Sequence, residues 1–452
     1  MKSTMADKID IREQLRPGEE LHRFASKLYP ICRSITGAGI RETLAHIGES
    51  IPLEISEIPS GTQVFDWSIP AEWNIRDAYI KDVHGRRVVD FQQHNLHVVS
   101  YSTPVHAILP LSELRPHLHS LPDHLDWIPY RTSYYHSEWG FCVSHRQLQA
   151  LESGNYEVCI DSSLEDGSLT FGECLVPGES DQEVLISTHI CHPSLANDNL
   201  SGISVATALA HQLRGRRLRY SYRFLFIPGS IGAIAWLAQN TEAAKRILHG
   251  LVLTCVGDAG GFHYKKSRRG NAEIDRVAAH VLSHCGEPAE IIDFSPYGYD
   301  ERQYCSPGFN LPVGCLMRSV WGTFPEYHTS ADNLEFIRPE QLARSLRLCL
   351  SIVEVLEHNG CYLNQNPWCE PQLGKRGLYR STGGESIDRQ INARLWVLNF
   401  SDGDHSLLDI AERSGLPFNE ILAATELLRE VGLLREAPAI AQEHPERDQQ
   451  FN

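Results

Sequence analysis

The rhythm of hydrophobic and polar positions changes three times along the chain. Between about 171 and 358, four short apolar runs, EVLIST (183–188), SYRFLFIP (221–228), GLVLTCVG (250–257) and LPVGCLM (311–317), alternate with stretches whose apolar residues recur every three or four positions (202–213, 230–240, 272–285 and 339–357). Such predominantly apolar runs, without polar alternation, predict strands buried on both faces, and the intervening period predicts helices. Together they predict a three-layer α/β domain. Residues 17–47 add helical pieces around LYPICRSITGAGIRETL, broken at Gly37 and Gly39, behind a polar, frayed 1–16.

From about 51 to 170 the texture is different. RVVDF (87–91), NLHVVSYS (95–102) and YEVCID (156–161) are short strand-like runs between Pro, Gly and Asp turns, which predicts an inserted, mostly-β domain. Its aromatic-rich stretches, such as 117–135, suit core packing. Residues 359–384 read as an irregular linker. SLLDIAERSG (406–415) and LPFNEILAATELLREVGLL (416–434) give two short amphipathic helices around a Gly turn, so 385–436 predicts a winged-helix-like domain, followed by a disordered tail at 437–452.

Charge narrows the function. The 452 residues carry a net −16, which argues against nonspecific binding to nucleic acid or to anionic membrane. Residues 391–436 hold four Arg, no Lys and eight Asp plus Glu, a poor surface for DNA phosphates and a better one for a structural or protein-contact role. No secretory leader or membrane span is expected, and twelve scattered cysteines without a CxxC pair suit a reducing, cytoplasmic setting.

Candidate chemistry concentrates in VLISTHICHPSLANDNLSG (184–202). His189, Cys191 and His192 follow a predicted strand, and Asp198 precedes the helix opening at Ser201-Gly202. Open α/β sheets place their ligands at such strand ends. Taken singly, each residue has a bland role: a hydrogen-bonded histidine, a helix-capping Asp198, a buried apolar Cys191. Density and partners raise the reading. Asp258 follows the third strand, YGYDERQ (297–303) carries Asp300, Glu301 and Arg302, and EYHTSADN (326–333) carries His328. Two His and two Asp suit zinc, as one ion or as two bridged by a carboxylate.

The order His, Asp-Asn-x-Ser-Gly, Asp, Tyr-His resembles zinc aminopeptidases of the M28 type. With FLFIPGSIGAI, LTCVGDAG and YDERQYCSPGFNLPVG, the chain more closely resembles the aminopeptidase-like domain family (DUF4910/DUF2172), whose members carry an inserted β domain and a C-terminal winged helix. The resemblance spans most of 20–436. It implies an aminopeptidase-like domain from 1–50 and 171–384 around the 51–170 insert. It also implies that His189 and Asp258 hold a first metal, that Asp198 bridges, that His328 holds a second, and that Tyr327 contacts substrate. One departure stands out: M28 enzymes carry a Glu-Glu pair after the second core strand, whereas Pro228-Gly229 stands here and no carboxylate lies between 221 and 241. His192 is the candidate replacement ligand, and Glu301 or Glu326 the candidate catalytic base. Arg302 and the KKSRR run (265–269) are candidates for a substrate anion. The expected activity is zinc-dependent hydrolysis of a peptide or amide bond near a free amino end. The alternatives are a single-zinc deacylase or aminoacyl cyclase, and a non-catalytic scaffold. Expected partners are a small peptide or aminoacyl-amide substrate and a second copy of the chain, with no nucleic acid and no membrane.

Overall fold

The uninterrupted apolar runs assemble into one eight-stranded sheet. The structure is a computed structural model that describes residues 11–378 and 389–438, with side chains from Arg16 onward. Strand order across the sheet is Glu54–Pro59, Ser168–Val176, Ser221–Ile227, Glu183–His189, Ile247–Leu253, Val313–Met317, Phe262–Lys265, Ala289–Ile292. The four central strands run parallel, and antiparallel neighbours flank them on both sides. Every residue of Glu183–His189 and Ser221–Ile227 is buried, as expected for strands covered on both faces.

Helix Gly202–Leu213 connects these two neighbouring strands, its apolar residues buried against the sheet. It starts at Gly202 because nothing larger fits. A Cβ there would stand 2.3 Å from Asn199 Oδ1, 2.6 Å from the Leu253 carbonyl oxygen and 2.7 Å from Thr188 Oγ1. The close approach seats the start of the helix against the ends of two strands, which is the ground on which the site is built.

The inserted region holds a four-stranded antiparallel sheet ordered Arg87–Asp90, Glu72–Lys81, Asn155–Glu165, Val105–Pro110. Three expectations need correction. The insert is not bounded at 51 and 170, because Glu54–Pro59 and Ser168–Val176 pair with each other and extend the main sheet. NLHVVSYS is no strand: Asn95–His97 forms a 3₁₀ turn, and Val98 and Ser100 make only isolated bridges. The third core strand ends at Leu253 rather than 257.

The chain divides into two compact units, one running to Leu282 and from Gly286 to Leu350, the other holding Ser283–Cys285 and the chain from Ser351 on. In the second, strand Cys361–Asn364 lies between Asp402–Ser406 and Leu434–Glu436, with helices Arg389–Phe400, Leu407–Ser414 and Phe418–Glu430. The stretch from 359 is therefore not wholly linker. A capping box between Ser406 and Asp409 starts the second helix, and left-handed Gly415 ends it at φ 66°. This gives the winged-helix arrangement. The tail expected at 437–452 lies outside the described residues beyond 438, as does the linker at 379–388. Among the described residues, no helix is long and apolar enough to cross a membrane.

Candidate metal centre

Strand Glu183–His189 delivers His189 at its carboxyl end, and the following turn brings the His192 ring back to 4.7 Å from it. Buried Arg33 fixes that turn, donating from Nε to the His192 carbonyl oxygen (2.9 Å) and from Nη1 to the Leu28 carbonyl oxygen (2.6 Å). Asp198 then arrives fully buried on the segment entering helix Gly202–Leu213. His189 Nε2 lies 2.9 Å and His192 Nδ1 4.0 Å from Asp198 Oδ1. His328 Nε2 lies 3.0 Å from Asp198 Oδ2.

One ligand atom from each of His189, His192 and Asp198 lies within 4.8 Å of the others. His189 Nε2, His192 Nδ1 and Asp198 Oδ1 are buried and make no aligned hydrogen bond. Leaving a buried polar atom unsatisfied costs about 1–3 kcal/mol. Three such atoms converging on one point therefore fit a divalent cation. Two imidazole nitrogens and a carboxylate oxygen, with a fourth position open, match the three-ligand pattern of catalytic zinc. Burial holds His192 well below the usual histidine range. For Asp198 burial acts upward, but the His192 and His189 imidazoles outweigh it and keep the carboxyl well below its ordinary value.

Supporting residues hold these groups in place. Asp332 accepts from the backbone N–H of Asn197 (2.6 Å) and of Asp198 (2.9 Å). Burial pushes its carboxyl up to about 8, against the pull of those two amides. His328 sits at φ 56°, a left-handed conformation that histidine adopts at a cost of order 1–3 kcal/mol. Its carbonyl oxygen accepts from Tyr130 N–H (2.8 Å), and Ser330 and Ile128 pair beside it. The Tyr130 ring stands 5.2 Å from both the His192 and His328 rings. Tyr327 stacks on His328 at 3.9 Å, and Tyr299 stacks on His189 at 4.9 Å. The His328 side chain, 34% exposed, is the most open of the four.

Other expected site residues are placed elsewhere. Asp258, expected as a ligand, is buried with its oxygens accepting from Gly260 N–H (2.7 Å), Ser319 Oγ (2.6 Å) and Asn197 Nδ2 (2.8 Å), and it lies outside the His189, His192 and Asp198 group. Glu301, a candidate base, is buried against Lys265, Oε1 to Nζ 2.8 Å. Glu326 is half-buried, and it is its backbone carbonyl that is engaged, by Thr329; its carboxylate is not joined to the three ligands. The KKSRR run is likewise committed, Lys265 to Glu301, Lys266 to Asp293, and Arg268 and Arg269 to Asn310. Arg302 flanks the Gly229-Ser230 turn, Nη2 3.5 Å from Ser230 Oγ.

The turn that lacks the expected glutamates is not without a carboxylate. A Cβ on Gly229 would stand 3.0 Å from His189 Cβ and 3.4 and 3.5 Å from the two carboxylate oxygens of Asp300. Asp300 is buried, and burial pushes its carboxyl up to about 7. Sequence reasoning named Asp300 without giving it a role, and passed over Asp332, Arg33, Tyr130 and Tyr299 as site residues. Asp332 and Tyr299 lay inside motifs already singled out.

The sheet, the strand-end histidines and the buried Asp198 define the class: this is the α/β fold of the zinc aminopeptidases. A Bacillus subtilis zinc aminopeptidase superposes with a TM-score of 0.54 over 75% of this chain and 94% of that one, at 13% identity, a likeness of fold alone. The chain itself belongs to the family described as a domain of unknown function, DUF4910, which matches residues 22–359, followed by a winged helix-turn-helix over 360–436. A Clostridium acetobutylicum protein named for polysaccharide biosynthesis and for an aminopeptidase-like domain is 52% identical over 427 residues, covering 94% of this chain and 98% of that protein. A crystal structure from the same organism, named as that of a peptidase, matches with a TM-score of 0.90 at 50% identity over 94% of this chain and 98% of that one.

Proposed function

We propose that this protein is a metal-dependent amide hydrolase that uses a single zinc ion held by His189, His192 and Asp198. The observation that carries the reading is the convergence of three buried ligand atoms, none of which makes an aligned hydrogen bond. A single ion is favoured because Gly229 and Ser230 offer no carboxylate for a second and Asp258 is committed to neighbouring donors. A zinc ion there would act as a Lewis acid on the scissile carbonyl and make the attacking water more acidic.

The chain's own residues supply the remainder. His328 holds the free oxygen of Asp198 and forms the open edge over which substrate enters. Tyr130 and Tyr327 wall that edge with apolar ring faces, which limits water around the reacting bond. A substrate bearing a free amino group is supported by the fold shared with aminopeptidases. The relative named for polysaccharide biosynthesis supports an amide carried on an amino sugar as a second substrate class to test. The compartment taken is the cytoplasm, where scattered thiols stay reduced.

The test is zinc content by elemental analysis together with turnover of aminoacyl p-nitroanilides and N-acylated amino sugars. The expected result is about one zinc per chain, lost in His192→Ala, with turnover that follows the metal. Zinc binding unaffected by His192→Ala and His189→Ala would overturn the site. Bound zinc without turnover in either substrate class would overturn the hydrolase.

A further inference from the structure

The chain has Pro228-Gly229 where the M28 enzymes it resembles carry their Glu-Glu pair, yet the structure brings a carboxylate to that spot from another loop. Asp300 is 1% exposed, and neither of its carboxylate oxygens has a hydrogen-bond partner. Its ordinary alternative employment is ruled out: Asp300 precedes the short helix Glu301–Tyr304, but its side chain makes no capping hydrogen bond. Its neighbour Glu301 points the other way, into Lys265. The Asp300 oxygens instead approach the point where a side chain on Gly229 would begin, a point also 3.0 Å from His189 Cβ. Gly229 and Asp300 are thus complementary, since the missing side chain on one leaves room for the carboxylate of the other. Asp300 also falls outside the set of ligand atoms that lie within 4.8 Å of one another. Asp300 is thus an unpartnered buried carboxylate in the space beside the turn that follows the second core strand, next to His189 but outside the ligand group.

We infer that Asp300 is the catalytic base of the hydrolysis. This rests on the hydrolase reading above. Asp300 accepts a proton from the attacking water as its oxygen bonds to the scissile carbonyl carbon. As the tetrahedral adduct collapses and the C–N bond breaks, Asp300 returns that proton to the departing amine nitrogen. Water is consumed, an acid and an amine are released, and the carboxylate is regenerated.

The test compares the wild-type full chain with Asp300→Asn and Asp300→Ala, each loaded with zinc, using L-leucine p-nitroanilide and the N-acylated amino sugars as probes. Three quantities are read: kcat and KM, zinc per chain, and melting temperature. The amide removes no hydrogen bond from the fold, so Asp300→Asn is expected to melt no lower than the wild type. Zinc per chain and KM stay within about threefold, while kcat falls about 100-fold or more. A kcat within threefold of the wild type overturns the inference, and so does loss of zinc, which would make Asp300 a ligand. Failure of the zinc-loaded wild type to turn over any probe is a distinct result: it overturns the hydrolase reading and the base with it.

Discussion

Asp332→Ala tests the site without substituting any of its ligands. Asp332 is buried, and its two oxygens take the backbone N–H groups of Asn197 and Asp198 at 2.6 and 2.9 Å. These bonds set where the Asp198 carboxylate points. Alanine leaves both amides without an acceptor inside the protein, a cost of about 1–3 kcal/mol each unless water enters. Loss of such a supporting contact typically weakens metal binding about 10- to 100-fold. At free zinc 100 times the wild-type Kd, zinc stabilises the wild type by about 2.7 kcal/mol. A tenfold weaker variant would retain about 1.4 kcal/mol, and a hundredfold weaker one about 0.4 kcal/mol, of that increment. The assay is denaturant unfolding in a zinc buffer, with and without metal, for both proteins. The expected result is a lower metal-free stability for Asp332→Ala and a zinc increment reduced by about half or more. An undiminished increment would refute the argument that Asp332 positions Asp198.

Further expectations concern parts of the molecule away from the metal ligands. Buried His249 is depressed to about 4 by burial, with nearby Glu273 opposing weakly. The unfolded chain therefore binds more protons than the folded one between about pH 4 and 6.5, and stability falls as pH drops through that window. His249→Phe should remove about 3 kcal/mol of that acid loss, measured by urea unfolding from pH 4.5 to 7; an unchanged profile would contradict it. Arg223 bridges Glu183, which is 2% exposed, and Glu173. Arg223→Met should cost about 3 kcal/mol by stranding Glu183 on Arg246 alone, and adding Glu183→Gln should recover part of that; no recovery would count against a stranded charge. The chain bearing the winged helix should show no sequence-selective DNA binding in a gel-shift assay at 150 mM salt, because its helix-turn-helix region is net acidic.

The core strands and helices were legible because each is mostly apolar over a short run or apolar at a helical period. His189, His192 and Asp198 were legible as candidates because they fall within ten residues of one another, at the junction of a strand and a helix. The failures share one cause, which is that a side chain's direction is not written in its neighbourhood. Asp258 follows a strand, but the strand stops at Leu253, and the intervening turn carries its carboxylate into three neighbouring donors. Asp300 and Glu301 are adjacent in YGYDERQ, yet one approaches Gly229 and the other pairs with Lys265. Which of the two meets the histidines is decided by contacts more than 30 residues away in sequence. Likewise, nothing in 51–170 announces that its first and last strands belong to the main sheet, because that pairing is made across more than 100 residues.

The pairing of Tyr130 with His328 has a consequence for how the site can vary. His328 leaves the core on an irregular loop, in a backbone conformation that must be imposed on it, and residues 128–130 of the insert help to impose it. The insert is thus a working wall and not an ornament that could be trimmed away. A miniaturised version keeping only the eight-stranded sheet would retain His189, His192 and Asp198 while losing the grip on His328. Redesign has more latitude at the far edge of the insert, where strand Arg87–Asp90 closes the smaller sheet without entering the described contacts of the metal ligands. Exchanges at that outer edge should therefore leave the site in place so long as 128–130 and the two rails, Glu54–Pro59 and Ser168–Val176, that carry the insert are kept.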